Sequence, residues 1–377
     1  MNLTVITAHW RIILFILFSL VTAIQAFYYL YYFRRLAFYK KKERSISQTH
    51  PVSVIICARD EAANLTVNLP GSLVQKYQTS HEVILVDDNS FDESKYIIEE
   101  FQKTFKQLHF VELKQEARFI PGKKFALSVG IKTAKYEIVL LTDADCVPAS
   151  EHWIQHMQEG FGPETEIVLG YGGHHKKKGL LNKFVRWETF QTAKQYLSFA
   201  LAGNPYMGVG RNLSYKKSVF FRHKGFSAHN HIASGDDDLF INMAANKNNT
   251  EVVIDKDAFT LSAAPKNWSQ WIRQKNRHYS TGKYYKTHDK FLLGLYTISH
   301  FLFYPLMVAA AIFFSWKLSL LIYGLRLLIQ GVIYYHSMKK LNELDLYPWF
   351  WILDVWMFFY YLLFSFSIFK KPSKSWK

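Results

Sequence analysis

At 377 residues the chain is long enough for one large domain or two smaller ones. Its 46 Lys+Arg against 30 Asp+Glu give a formal charge of +16, which suits phosphorylated small molecules, acidic lipid headgroups or nucleic acid. No zinc-finger, basic-zipper or RNA-recognition signature accompanies that charge, which argues against a nucleic-acid partner, and two cysteines, Cys57 and Cys146, set neither a disulfide framework nor a zinc site.

Apolar residues make up 49% of the chain and gather at its two ends. Ile12 to Phe33 is long enough to cross a bilayer as a helix, with Tyr28, Tyr29, Tyr31 and Tyr32 as an interfacial belt. A cleaved signal peptide is the competing reading, but the run is long for one and no clear small-residue cleavage site follows. Arg34, Arg35, Lys40, Lys41, Lys42 and Arg44 then place this end in the cytoplasm by the positive-inside rule. Residues 1–50 are thus expected to be a membrane helix and a basic linker.

From Pro51 the pattern changes. Val52–Ala58, Val83–Val86, Phe110–Leu113 and the run ending at Thr142 read as short buried strands, with helical stretches between them. This predicts an α/β fold with a largely parallel sheet, and ligands bind such sheets beyond the carboxyl ends of the strands. Those ends carry Asp60, Asp87, Asp88, Asp143 and Asp145. Asp143-Ala144-Asp145 is the central motif. Two carboxylates one residue apart suit a hard divalent cation that leaves positions open for phosphate oxygens, although acids in turns also serve as caps.

Further on, the pair His174-His175 is expected to be solvent-exposed. Three acids, Asp236, Asp237 and Asp238, precede an apolar helix from Leu239 to Ala245; capping needs one acid, so three suggest chemistry. Trp268 to Tyr285 is basic and aromatic, as in a helix at a membrane interface. Residues 51–285 are therefore expected to form one catalytic domain.

Phe291 to Trp316, Leu318 to His336 and Tyr347 to Phe369 are apolar again, and residues 286–377 are expected to hold two or three membrane helices. Arg326, in the middle run, needs a partner or a headgroup. Three crossings would carry the tail of Lys370, Lys371, Lys374 and Lys377 outside, against the positive-inside rule, so one of the three is a candidate for a re-entrant or interfacial segment.

The ordered blocks VSVIICARDEAAN, VILVDDNSFD, PGKKFALSVGI, LLTDADC, GVGRNLSYKK, SGDDDL and QKNRH resemble the family 2 inverting glycosyltransferases of the membrane-bound branch, from about Val52 to His278. The resemblance implies a GT-A fold, a nucleotide-sugar donor and Mn²⁺ or Mg²⁺. It implies that Ala58, Asp60 and Asp87 line the nucleoside pocket, that Lys123 lies near the phosphates, and that Asp143 and Asp145 hold the metal, Asp145 more directly. Its general base falls on Asp237 or Asp236, with Asp237 preferred. Gln274 and Arg277 match Gln-x-x-Arg-Trp, with His278 in place of the acceptor-side Trp.

Two products compete on this reading: a glycolipid made on a lipid hydroxyl, and a polysaccharide extended at the membrane, the latter with a possible partner subunit. From another class comes a non-catalytic membrane scaffold, which the intact acids of every catalytic block disfavour.

Overall fold

The computed structural model describes residues 3–41, 50–114 and 120–364. The expected basic residues Lys42 and Arg44, the end of the last apolar run and the C-terminal lysines lie outside them. The described chain forms two compact units, residues 40–285 and residues 3–39 with 286–364.

The strands of the 40–285 unit are β1 (Val52–Ala58), β2 (His81–Asp88), β3 (Leu108–Leu113), β4 (Ile138–Asp143), β5 (Cys146–Pro148), β6 (Ile167–Leu169), β7 (Gly172–His174), β8 (Leu213–Lys216), β9 (Thr250–Val252) and β10 (Thr260–Ser262). Val, Ile and Leu dominate β1, β2 and β4, which are buried on both faces, as strands sandwiched between helices must be. Helices Ala62–Leu73, Ser94–Thr104 and Lys124–Thr133 form the crossovers. At Gly130 the last of these closes on the sheet so tightly that a Cβ would stand 2.7 Å from Ile55 Cγ2.

The main sheet has the order β3-β2-β1-β4-β8-β6-β9, with β1 to β4 parallel and β8 antiparallel to both β4 and β6. Strand order reverses between β1 and β4, which opens the crevice where α/β sheets bind ligands. In register there are Cys57 and Asp143. The mostly parallel α/β sheet agrees with the sequence reading.

Two local expectations are corrected. The strand ending in acids runs on through Asp88, so Asp87 and Asp88 are in β2 and not in the loop after it. Beyond the four strands read from the sequence there is a second sheet, β5-β10-β7, built from short strands with no long apolar run. His174 is the last residue of β7 and is buried, because β10 covers it and the Ser262 hydroxyl meets its Nδ1 at 3.0 Å. The two cysteines are free and buried.

In the other unit, three helical runs are long and apolar enough to cross a membrane: His9–Ala37, Thr287–Lys340 and Leu344–Phe364. The second is broken at Ser315, whose backbone is extended (φ −160°, ψ 113°), and the chain doubles back so that Phe303 faces Tyr323 and the Arg326 guanidinium. The first helix runs antiparallel to Thr287–Ala310, with Phe15 stacked on Phe314 and Gln25 donating to the Ser299 carbonyl at 2.9 Å. Arg326 has its partner. It donates to Asp354 Oδ2 at 2.8 Å and Gln25 Oε1 at 2.7 Å, and Tyr304 donates to the same Asp354 oxygen at 2.7 Å. A fully buried charge is tolerated in this way because every partner it needs is inside the bundle.

Candidate active site

The loops after β1 and β2 are knitted together by the acids themselves. Asp60, in left-handed backbone (φ 52°), accepts from the Phe91 amide at 2.7 Å, and its own amide donates to Ser90 Oγ at 2.9 Å. Asp87, buried and in register with Ala58, accepts from the Ser90 hydroxyl. Burial pushes the Asp87 carboxyl up, and the bonds to Ser90 pull against it. Ala58, Asp60 and Asp87 thus share one rim of the crevice.

At the end of β4, Asp143 is ion-paired with Lys123, the residue just before the helix Lys124–Thr133. Burial opposes charge on both groups. The pair outweighs it, so Lys123 is held above the usual lysine range and Asp143 below the usual carboxylate range, with Arg211 and Arg277 adding to the latter. Asp145 differs. Its side chain is exposed, yet desolvation by the protein packed around it and the neighbouring Asp143 push it up to about 6. Asp143, Asp145 and Cys146 each offer a ligand atom within 4.8 Å of the others. Hard carboxylate oxygens, one of them left under-neutralised, fit a small divalent cation.

The three acids at the start of the helix Asp238–Ala244 have separate fates. Asp238 is buried and engaged, accepting from Tyr285 at 2.8 Å and Thr281 at 2.5 Å through one oxygen and from the Leu239 amide through the other. Asp237 is the N-cap; it accepts from the Gly210 amide at 2.8 Å and the Asp238 amide at 2.7 Å. Burial and the flanking Asp236 and Asp238 push Asp237 up to about 7, a value suited to a general base at neutral pH. Asp236 is half-buried and close enough to Lys123 to raise it electrostatically. Asp143 and Asp236 therefore both act on Lys123.

Gln274 and Arg277 lie one turn apart on the helix Trp268–Tyr279, which ends sooner than expected and continues as a short 3-10 turn. Arg277 acts on Asp143, whereas no hydrogen bond brings Gln274 to the acids among the described residues. His278 is held well below the usual histidine range by desolvation, then by Lys275, Arg277 and Arg211.

Two residues were missed by sequence reasoning. Arg211, in the turn Gly210–Asn212, acts on both Asp143 and Asp145 and stands 3.5 Å from His174 Nε2. Its neighbour Asn212 anchors the turn, donating to the Tyr171 and Ala258 carbonyls, both at 2.8 Å, and accepting from the Trp153 indole at 3.0 Å. A lone Arg between Gly and Asn offered a weak signal; only the second sheet brings it to the acids.

Residues 53–223 match the family model described as Glycosyl transferase family 2. Over 159 residues the chain is 28% identical to a poly-beta-1,6-N-acetyl-D-glucosamine synthase of Staphylococcus aureus (strain COL), a match covering 41% of this chain and 37% of that protein. Over 154 residues it is 31% identical to the Staphylococcus epidermidis protein of the same name, covering 40% and 35%. The chain thus matches little more than a third of the length of these curated relatives. Among solved structures, the mannosyltransferase PcManGT from Pyrobaculum calidifontis, in complex with GDP-Man and Mn²⁺, is similar with a TM-score of 0.54 at 18% identity, covering 92% of this chain and 99% of that one. At that identity the likeness is one of fold.

Proposed function

From a chain whose residues 53–223 carry a family 2 glycosyltransferase domain in a GT-A fold, we propose a membrane-bound inverting glycosyltransferase. It transfers a sugar from a nucleotide-sugar, with UDP as the nucleotide, to a hydroxyl of a lipid or growing glycan at the cytoplasmic membrane face. The observation that supports this best is the convergence around Lys123: a cation-ready acid pair, Asp143 and Asp145, on one side, and Asp236 with the amide-anchored Asp237 on the other.

The chemistry follows from these groups. Asp60 and Asp87 line the nucleoside end. Lys123, Arg211 and Arg277 supply positive charge where the diphosphate gains negative charge as it leaves. Mn²⁺ or Mg²⁺, held by Asp145 with Asp143, would supply further charge stabilisation there. Asp237 takes the proton of the acceptor hydroxyl as the new bond forms, and attack from the face opposite the leaving group inverts the anomeric centre. Asp236, next to it, keeps the Asp237 carboxyl basic.

Three apolar helical runs support the membrane assignment. A polymer product is the second reading, favoured by the relatives named as poly-beta-1,6-N-acetyl-D-glucosamine synthases; it leaves room for a partner subunit.

The test is a donor screen on the full chain in lipid. UDP- and GDP-sugars with Mn²⁺ or Mg²⁺ are offered, and label is followed into lipid-extractable and polymer fractions, with Asp145→Ala and Asp237→Asn as controls. Cation-dependent label in the organic phase makes it a glycolipid synthase, and label in polymer a polysaccharide synthase. Nucleotide release equal in wild type and both variants would remove the enzymatic reading in favour of a scaffold.

A further inference from the structure

Two consecutive lysines open the helix Lys124–Thr133, and they serve different partners. Lys123 pairs with Asp143. Lys124 is wholly buried, and its ammonium donates to the carbonyl oxygens of Ile232 and Ser234, both at 2.5 Å. The carbonyl between them is closely approached by Gly122, in left-handed backbone (φ +78°), so closely that a Cβ there would stand 2.0 Å from the Ala233 oxygen. Of three successive carbonyls, 232 and 234 are therefore bonded by Lys124, and 233 lies against Gly122.

That segment leads directly into Gly235, Asp236 and Asp237. A buried ammonium is a costly way to fill space, and an apolar side chain of similar length would fill it without stranding a charge. What the ammonium adds is direction: it reaches two particular carbonyls, in the field of Asp236, Asp238 and Asp237. The block PGKKFALSVGI contains Lys124, but the resemblance implied a role for Lys123 alone.

We propose that Lys124 is a positioning residue that fixes the 232–235 backbone, so that Asp236 and Asp237 are presented to the reacting hydroxyl from the same helix start that holds Asp143. The catalytic part of this proposal rests on the glycosyltransferase reading above; the tether itself does not. Lys124 touches no substrate. Its effect is on where the acids stand, and turnover is sensitive to displacements of that kind.

Two variants of the full chain in lipid test it from opposite sides of the segment. Lys124→Met removes the donors and keeps the length, and Gly122→Ala drives a methyl group against the Ala233 carbonyl. Each is measured for backbone hydrogen exchange over residues 230–238, for nucleoside diphosphate affinity with Mn²⁺, and for kcat and KM of the donor. Exchange in that window should rise about tenfold or more, and kcat should fall ~10–100-fold. Nucleoside diphosphate Kd should stay within about threefold of wild type, since a local shift of this loop leaves uniform binding in place.

Unchanged exchange, or raised exchange with unchanged kcat, overturns the proposal. So does loss of nucleotide affinity in step with kcat, which would make Lys124 a donor-side or general folding residue. If Lys124→Met fails to fold, Gly122→Ala carries the same three readings. Wild-type protein that turns over no nucleotide-sugar defeats the glycosyltransferase reading instead, and exchange still reports whether the tether exists.

Discussion

The Gly210 amide donates to Asp237 Oδ2 at 2.8 Å, while Asp237 Oδ1 takes the Asp238 amide at 2.7 Å. One carboxylate is thus fixed from two distant parts of the chain, the 210–212 turn and its own helix start. Asp237→Asn keeps the size of the side chain and removes its basicity. Turnover should fall ~10²–10⁴-fold, with nucleoside diphosphate affinity by calorimetry unchanged. Near-normal turnover would transfer the role to Asp236.

The pH profile follows from the same carboxyl. A base works ionised, so kcat/KM should fall as pH falls through about 7, the value to which burial and its acidic neighbours push Asp237. Asp236→Asn removes one of those neighbours and should move the acid limb to lower pH. Stability moves the other way. Between the ordinary carboxyl range and about 7 the folded state holds a proton that the unfolded state has lost, so the contribution of this group to stability declines as pH rises through that window.

Removing divalent cations should stop turnover, and Mn²⁺ or Mg²⁺ should restore it. Asp145→Ala should need a much higher concentration of cation for half-maximal rate, or fail to respond. Turnover that persists in chelator would show that Lys123, Arg211 and Arg277 suffice to stabilise the leaving diphosphate.

Asn212→Ala strands the Ala258 carbonyl and the Trp153 indole N–H, both inside the protein, and leaves the Tyr171 carbonyl with the Thr260 amide at 3.2 Å. At about 1–3 kcal/mol for each unsatisfied buried group, the loss should appear as a clear drop in melting temperature. A variant as stable as wild type would mean that water replaces the amide.

In the helical unit, Arg326→Met leaves Asp354 buried without its cation and should destabilise by about 3–5 kcal/mol. Arg326→Met with Asp354→Leu removes both charges and should recover part of the loss. Thermal unfolding in detergent compares the two; a double variant worse than the single one would show that the remaining network of Gln25, Tyr304 and Gln330, which accepts from Arg326 at 3.1 Å and donates to Asp354, depends on Asp354 itself.

The half built on β1 to β4 was legible because its strands are long and apolar and end in acid. β1, β2 and β4 each bury a run of Val, Ile and Leu, and Asp143 closes the last. The other half was not, because its strands are three or four residues long and include Gly-Gly-His and Thr-Leu-Ser. No periodicity resolves in so short a window. His174 looked like a surface residue for that reason, since what buries it is β10, nearly ninety positions later in the chain. Arg326 announced its need for a partner, but the sequence did not say that Asp354, on another helix, would meet it. The acids 236 to 238 were visible as a trio; their division into an anchored Asp238, a capping Asp237 and a half-buried Asp236 depends on Gly210, Thr281 and Tyr285.

Strand β4 lies between β1 and β8, and Ser214 of β8 hydrogen-bonds the Val139 carbonyl at 2.8 Å across a separation of 75 residues. Asp143 reaches its place only when those distant segments have joined. On the proposed reading, a donor that engages Asp143 binds the completed sheet and ignores the unfolded chain. By mass action, donor at a hundred times its Kd adds about 2.7 kcal/mol to folding. The survival of the protein against proteolysis would then track the supply of its own sugar nucleotide, so a cell that stops making the donor also begins to lose the enzyme.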